Sequence, residues 1–185
     1  MTAKDAQLPV LTIQDKPAFG YRGLMLDCAR HFWTVDELKE TLDHMAFFKL
    51  NTLHMHLTDN QAWRLSMDKY PDLVKEGTYY YDFPELSGKY YSKEDLKEIV
   101  TYAGTRGIEI IPEVDLPGHS IALLAALPEL SCRGGKFEAT PEERDWNKRK
   151  RGNENMICIG NPQSFAFAED VIDLSLIHIS EPTRP

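Results

Sequence analysis

Three short apolar runs, Leu24-Met25-Leu26, Leu53 to Leu57 and Ile108 to Glu113, each lead straight into a cluster of charged and hydrogen-bonding residues, and an amphipathic helical stripe separates each run from the next. Runs this short and this apolar suit strands buried on both faces. Strands alternating with helices imply an α/β fold in which parallel strands are joined by helical crossovers that cover the sheet. Little else is compatible with such a chain.

The helices have readable starts and stops. Thr34-Val35-Asp36-Glu37 has capping-box spacing, with a hydroxyl and a carboxylate three residues apart to satisfy free amides at a helix start. Val35, Leu38, Leu42 and Met45 then recur at intervals of three and four, and Lys49-Leu50-Asn51 closes the segment. Ser92 opens a second helix with Leu96, Ile99, Val100 and Ala103 on one face and Gly107 placed to end it. Met156 to Ile159 is expected as a fourth strand, followed by a helix from Pro162 through Val171, so the order reads βαβαβαβα.

Two architectures accommodate that order, an open doubly wound sheet and a β/α barrel. A doubly wound nucleotide-binding sheet favours a glycine-rich phosphate loop after its first strand, but Asp27-Cys28-Ala29-Arg30-His31 stands there. A complete barrel usually needs about 250 residues, and the chain has 185. The expectation is therefore a partial (β/α)8 TIM barrel of about the first four βα units over residues 21–173, after a lead-in segment of residues 1–20.

Composition narrows the partners. Apolar residues at 42% and charged residues at 27% belong to a packed globular protein, and a net charge of −8 disfavours both nucleic acid and anionic membrane surfaces. No apolar run approaches the ~20 residues of a membrane span, and Met1-Thr2-Ala3-Lys4-Asp5 lacks the apolar core of a secretory signal. Cys28, Cys132 and Cys158 form no metal-knuckle spacing and read as isolated thiols; the alternative is a Cys132 to Cys158 clip across the polar loop between them, which needs an oxidising compartment. Glu142 to Arg151 reads as a solvated charged loop.

In a β/α barrel the loops after the strands gather at one mouth, so chemistry is sought at the strand exits. Asp27, Arg30 and His31 follow the first strand; Thr58, Asp59, Asn60, Gln61, Trp63 and Arg64 the second; Glu113, Asp115 and His119 the third. Purely structural loops manage with Gly, Pro, Asn and Ser, and the polar concentration here favours a site. Alternation within the second strand puts His54 and His56 on the barrel side, as histidines that must find partners there. Trp63 offers a ring that either stacks on a sugar or packs beneath the loop, and Tyr79, Tyr80, Tyr81, Tyr90 and Tyr91 share that ambiguity.

Three stretches resemble successive motifs of the family 20 glycoside hydrolases, the β-N-acetylhexosaminidases. They are Tyr21 to Phe32 (YRGLMLDCARHF), Lys49 to Arg64 (KLNTLHMHLTDNQAWR) and Ile111 to Ser120 (IPEVDLPGHS). The similarity spans roughly Leu8 to Asp173, least in the loop from Glu138 to Asn155. It implies hydrolysis of terminal β-linked N-acetylglucosamine or N-acetylgalactosamine with retention, the sugar's own acetamido group serving as nucleophile, with no metal and no organic cofactor. It further implies that Arg30 grips the terminal sugar's hydroxyls and that Asp59 and His119 form a supporting pair facing the catalytic acid. Glu113 and Asp115 fall on one side of an extended segment and are expected, with Trp63, to support these residues rather than to touch the sugar. The competing role for Arg30 is a structural ion pair with Asp27. A periplasmic or secreted parent is compatible with the resemblance.

The family's acid-bearing Asp-Glu pair is expected after the fourth helix, and the chain stops before it; Glu169-Asp170 has the reverse order and falls inside that helix. Residues 174–185 do not resemble the family and read like translated sequencing adapter, a tail foreign to the protein. Two other readings stay open: a non-catalytic carbohydrate-binding module built on Arg30 and the aromatic loops, and a metal-dependent hydrolase built on His54-Met55-His56.

Overall fold

The computed structural model describes residues 10–78, 87–135 and 156–175. Three parallel strands, β1 (Gly23–Asp27), β2 (Thr52–His56) and β3 (Glu109–Glu113), form one sheet in the order β1-β2-β3. Helices α1 (Val35–Phe47) and α3 (Lys93–Gly104) are the crossovers, and α2 (Asp72–Lys75), α4 (Ile121–Ala126), a 3-10 turn (Pro128–Leu130) and α5 (Pro162–Ser175) complete the described elements. None of the described helices is long and apolar enough to cross a membrane.

The crossover helices begin and end as their sequences direct. Thr34 accepts from the Glu37 amide while Glu37 accepts from the Thr34 amide, and Ser92 and Asp95 repeat the arrangement at α3. Leu38, Leu42 and Met45 of α1 and Leu96, Ile99, Val100 and Ala103 of α3 are buried. Both helices end on a backbone bond spanning five residues, Leu50 to Met45 and Ile108 to Ala103, which requires a left-handed residue just before the donor. Gly107 supplies it after α3 at φ 66°; after α1 the residue is Lys49, at φ 59°.

The register assigns the two faces of the sheet. Leu24, Leu53 and Ile110 share one rung and Leu26, Met55 and Pro112 another, and these point to the helix layer, where Leu53 and Met55 are fully buried. Met25, His54 and Ile111 share a rung of the opposite, barrel-interior face, as do Asp27, His56 and Glu113 at the strands' C-terminal ends. On that face Met25 is 55% and Ile111 37% exposed.

The fourth strand does not form. The Ile157 amide donates to Pro117 O at 2.9 Å and the Cys158 amide to Leu130 O at 2.7 Å, so Met156 to Ile159 is tied to the loop after β3 and to the 3-10 turn rather than to the free edge of β3. An apolar run specifies burial, and Ile157 is buried, but it does not specify the partner. Helix α5 starts at Pro162 as expected and runs past Val171 to Ser175, with Phe167, Val171 and Leu174 buried. The Cys132 to Cys158 clip is absent, since neither sulfur is in a disulfide, and burial pushes the Cys28 thiol up to about 12. The charged stretch Glu142 to Arg151 and Tyr79 to Tyr81 lie outside the described residues.

Candidate active site

Asp27 ends β1 and shapes the turn that follows. Its Oδ1 accepts from the Ala29 amide at 3.1 Å and the Arg30 amide at 3.0 Å, a local turn held by an aspartate side chain, and its Oδ2 accepts from Arg30 Nη1 at 2.6 Å. The turn is also held from below. Arg64 is fully buried and donates to Cys28 O at 3.1 Å, Ala29 O at 3.1 Å and Lys89 O at 2.7 Å, with its guanidinium over the Phe32 ring. Arg64 thus fixes the backbone carrying Arg30. A buried arginine and a solvated one look alike in a sequence, and nothing in the motif marks it for this role.

Asp59, on the loop after β2, is the hub. Only 2% exposed, it takes Arg30 Nη2 at 2.6 Å and His56 Nε2 at 2.9 Å on Oδ2, and the Asn60 amide at 2.6 Å and His119 Nδ1 at 2.9 Å on Oδ1. Burial alone would raise its pKa, but His56, the Asn60 amide, His119 and Arg30 together hold it below the ordinary 3.8. The loop after β3 is seated on the loop after β2 by two bonds, Asp115 N to Thr58 Oγ1 at 3.0 Å and Ile121 N to Asn60 Oδ1 at 3.3 Å. These bring His119 over Asp59. His119 lies at φ 53° and is half exposed; its Nδ1 faces the Asp59 carboxylate, and in a neutral ring an Nδ1–H donated there leaves Nε2 as the acceptor.

Beneath the rim runs a second layer. His56 Nδ1 lies 2.9 Å from Glu113 Oε1, and His54 Nε2 lies 2.6 Å from Glu113 Oε2. Both histidines therefore find the partners that interior polar groups require. Hydrogen bonding to Asp59, then to Glu113, outweighs burial and pushes the His56 imidazole up from 6.5 to about 9.

Arg30, Asp59 and His119 thus converge, with Asp115 beside them and Glu113 in the layer beneath. The ion pair of Arg30 with Asp27 is present, a second forms with Asp59, and the side chain stays 45% exposed. Trp63 is not available for stacking on a ligand. It is 1% exposed, its indole N–H donates to Leu65 O at 2.8 Å and its ring lies against Phe167. Tyr91 is likewise core, Tyr90 is partly exposed, and His31 lies edge-on to Trp33. The chain's one Asp-Glu sequence, Asp36-Glu37, starts α1, where Glu37 is engaged in the capping box; Asp170 of α5 accepts from Lys69 and Tyr70, both at 2.6 Å.

Among the described residues, Asp59, Asp115 and His119 are the one grouping whose donor atoms, within 4.8 Å of one another, resemble a cation site. Asp59 already receives four donors, and the charge a metal would neutralise there is met by Arg30 and His56. Both His56 nitrogens face carboxylates, which leaves the His54-Met55-His56 pattern without a free ring nitrogen at its second histidine.

Residues 19–181 match the family described as glycosyl hydrolase family 20, catalytic domain. A β-hexosaminidase of Porphyromonas gingivalis is 42% identical over 90% of this chain and 21% of its own length, and a β-hexosaminidase of Akkermansia muciniphila is 38% identical over 96% of this chain and 37% of its own. A mutant Streptomyces plicatus β-hexosaminidase, solved in complex with its product GlcNAc, superposes with a TM-score of 0.75 at 36% identity, covering 90% of this chain and 32% of that one. The chain spans about a fifth to two fifths of the length of these relatives. With three parallel strands delivering their polar exits to one rim, the chain is part of a β/α barrel and belongs to the catalytic domain of glycosyl hydrolase family 20.

Proposed function

We propose that the whole protein hydrolyses terminal, non-reducing β-linked N-acetylhexosamine residues with retention of configuration, and that this chain supplies the part of the site that grips and orients the terminal sugar. The observation that carries the reading is the meeting of Arg30 and His119 on the single buried carboxylate of Asp59. Asp27 and Asp59 each take one guanidinium N–H and leave the remaining donors of a half-exposed, pre-aimed fork for sugar hydroxyls. A donor fork already held in place loses little freedom on binding, which is where a positioning residue gains affinity.

His119 presents its Nε2 lone pair at the same rim. There it can accept a hydrogen bond from a carboxylic acid on another part of the barrel and hold it toward the glycosidic oxygen. In the proposed step the acetamido carbonyl oxygen bonds to the anomeric carbon as the glycosidic bond breaks and the leaving oxygen takes the acid's proton. Water then opens the oxazolinium ion, returning a proton to the same carboxylate. The S. plicatus enzyme's complex with GlcNAc supports this class of ligand.

The test is turnover of a chromogenic N-acetyl-β-glucosaminide by the full-length protein, with the anomer released read by NMR. Retention is expected, and Arg30→Ala should lower kcat/KM by about a hundredfold or more, the value of one or two charged hydrogen bonds. An inverted product or an indifferent Arg30→Ala protein sinks the proposal. Calorimetric titration of the 185-residue chain with N-acetylglucosamine distinguishes the binding module, which should retain measurable affinity where part of a hydrolase site retains almost none.

A further inference from the structure

His56 sits beneath the rim with both ring nitrogens 2.9 Å from carboxylate oxygens, Nε2 from Asp59 and Nδ1 from Glu113. A neutral imidazole has one N–H, so one of those contacts would set its lone pair against the lone pairs of an ionised oxygen. Either the ring carries two protons or one acid does. The remaining partners favour the first. Asp59 also receives Arg30, His119 and the Asn60 amide, and Glu113 also receives His54 at 2.6 Å, so both carboxylates are surrounded by donors that prefer them ionised. Asp27, on the same rung of β1, adds a further negative charge facing the ring, and Asp115 stands beside Asp59.

We propose that His56 is a positioning residue, an imidazolium clamped between Glu113 and Asp59 that keeps the Asp59 carboxylate ionised and turned so that His119 retains its Nδ1–H tautomer. The ring is buried, and its two nitrogens face Asp59 and Glu113. It acts through Asp59: by sharing Oδ2 with Arg30 it leaves Oδ1 to the Asn60 amide and His119. Its strongly raised proton affinity agrees with the geometry. Only the consequence for hydrolysis rests on the reading given under Proposed function.

The experiment is an NMR titration of the chain labelled with 15N-histidine. His56 is expected to show two protonated ring nitrogens at about pH 8, where an unperturbed histidine is neutral; a single neutral tautomer there overturns the proposal. His56→Gln should convert His119 from a fixed Nδ1–H tautomer to a mixture, and an unchanged His119 spectrum overturns the positioning role. Should His56→Gln fail to fold, Glu113→Gln removes one counter-charge without emptying the clamp. It should lower the His56 midpoint by about one pH unit or more, and an unmoved midpoint overturns the proposal. In the full-length protein His56→Gln should lower kcat about ten- to a hundredfold with KM little changed. A full-length protein inert toward the glycoside would sink the hydrolase reading and leave the histidine spectra standing.

Discussion

Arg30 reaches from a half-exposed turn to the Oδ2 of a buried Asp59 at 2.6 Å, so a rim cation that a ligand can touch is fixed by a carboxylate that a ligand cannot. Asp59→Asn tests that dependence. The amide offers one oxygen where the carboxylate offered two, and four donors compete for it. In the full-length protein KM should rise because Arg30 loses an anchor, and kcat should fall because His119 loses its tautomer, a combined loss in kcat/KM of about a thousandfold. A change in KM alone would separate Arg30 from His119 and break the hub.

The same hub gives the fold a two-sided dependence on pH. His56 has its affinity for the proton raised by folding, from 6.5 to about 9, so its contribution to stability is complete below about pH 6.5 and is lost as pH rises toward 9. Asp59 has its pKa lowered, so its contribution is present above about 3.8 and is lost as pH falls through its folded value. Thermal midpoints of the chain should therefore decline on both flanks of a plateau. His56→Gln should remove most of the decline between neutral pH and 9, and an identical alkaline flank would place its cause elsewhere.

Arg64 ought to matter more to stability than any residue at the rim. Its guanidinium is fully buried and tied to the carbonyls of Cys28, Ala29 and Lys89, and hydrogen bonds to charged groups contribute about 1.5–3 kcal/mol each. Arg64→Ala strands those carbonyls and opens a cavity under Phe32, and a loss of about 3 kcal/mol or more is expected in chemical denaturation. The exposed Arg30→Ala should cost far less. Equal losses would mean that the turn holds itself.

What could be read in the chain and what could not divide along a physical line. The capping box at Thr34, the helix start at Ser92, the stripes of α1 and α3 and the faces of β2 are local patterns, and they formed where expected. Lys49 performs the left-handed turn that glycine performs at Gly107, which no propensity announces. Ile121 to Ala126 is apolar all round because α4 is buried, so it shows no helical period to read. Met156 to Ile159 was apolar enough for a strand, yet its amides were claimed by Pro117 and Leu130, partners distant in sequence. At the site, residue types and family motifs singled out Arg30, Asp59 and His119, which the fold brings into contact. The Asp27, His56 and Glu113 rung emerges only from strand register.

The barrel-interior face bears on what the 185 residues do by themselves. Met25 and Ile111 lie exposed on it beside His54, and β1 and β3 each carry an edge with no strand beyond it among the described residues. Open parallel edges and an apolar face favour association between chains, because closure is what removes edges in a barrel. The isolated chain is therefore expected to self-associate with rising concentration in light scattering and to show no turnover of a chromogenic N-acetylglucosaminide. Replacing Met25 and Ile111 by threonine should reduce the association without disturbing the Asp59 hub, since both lie one rung pair below it on the strands. A strictly monomeric chain would mean that the face is covered, and turnover abolished by Arg30→Ala would mean that a proton donor is present within these residues after all.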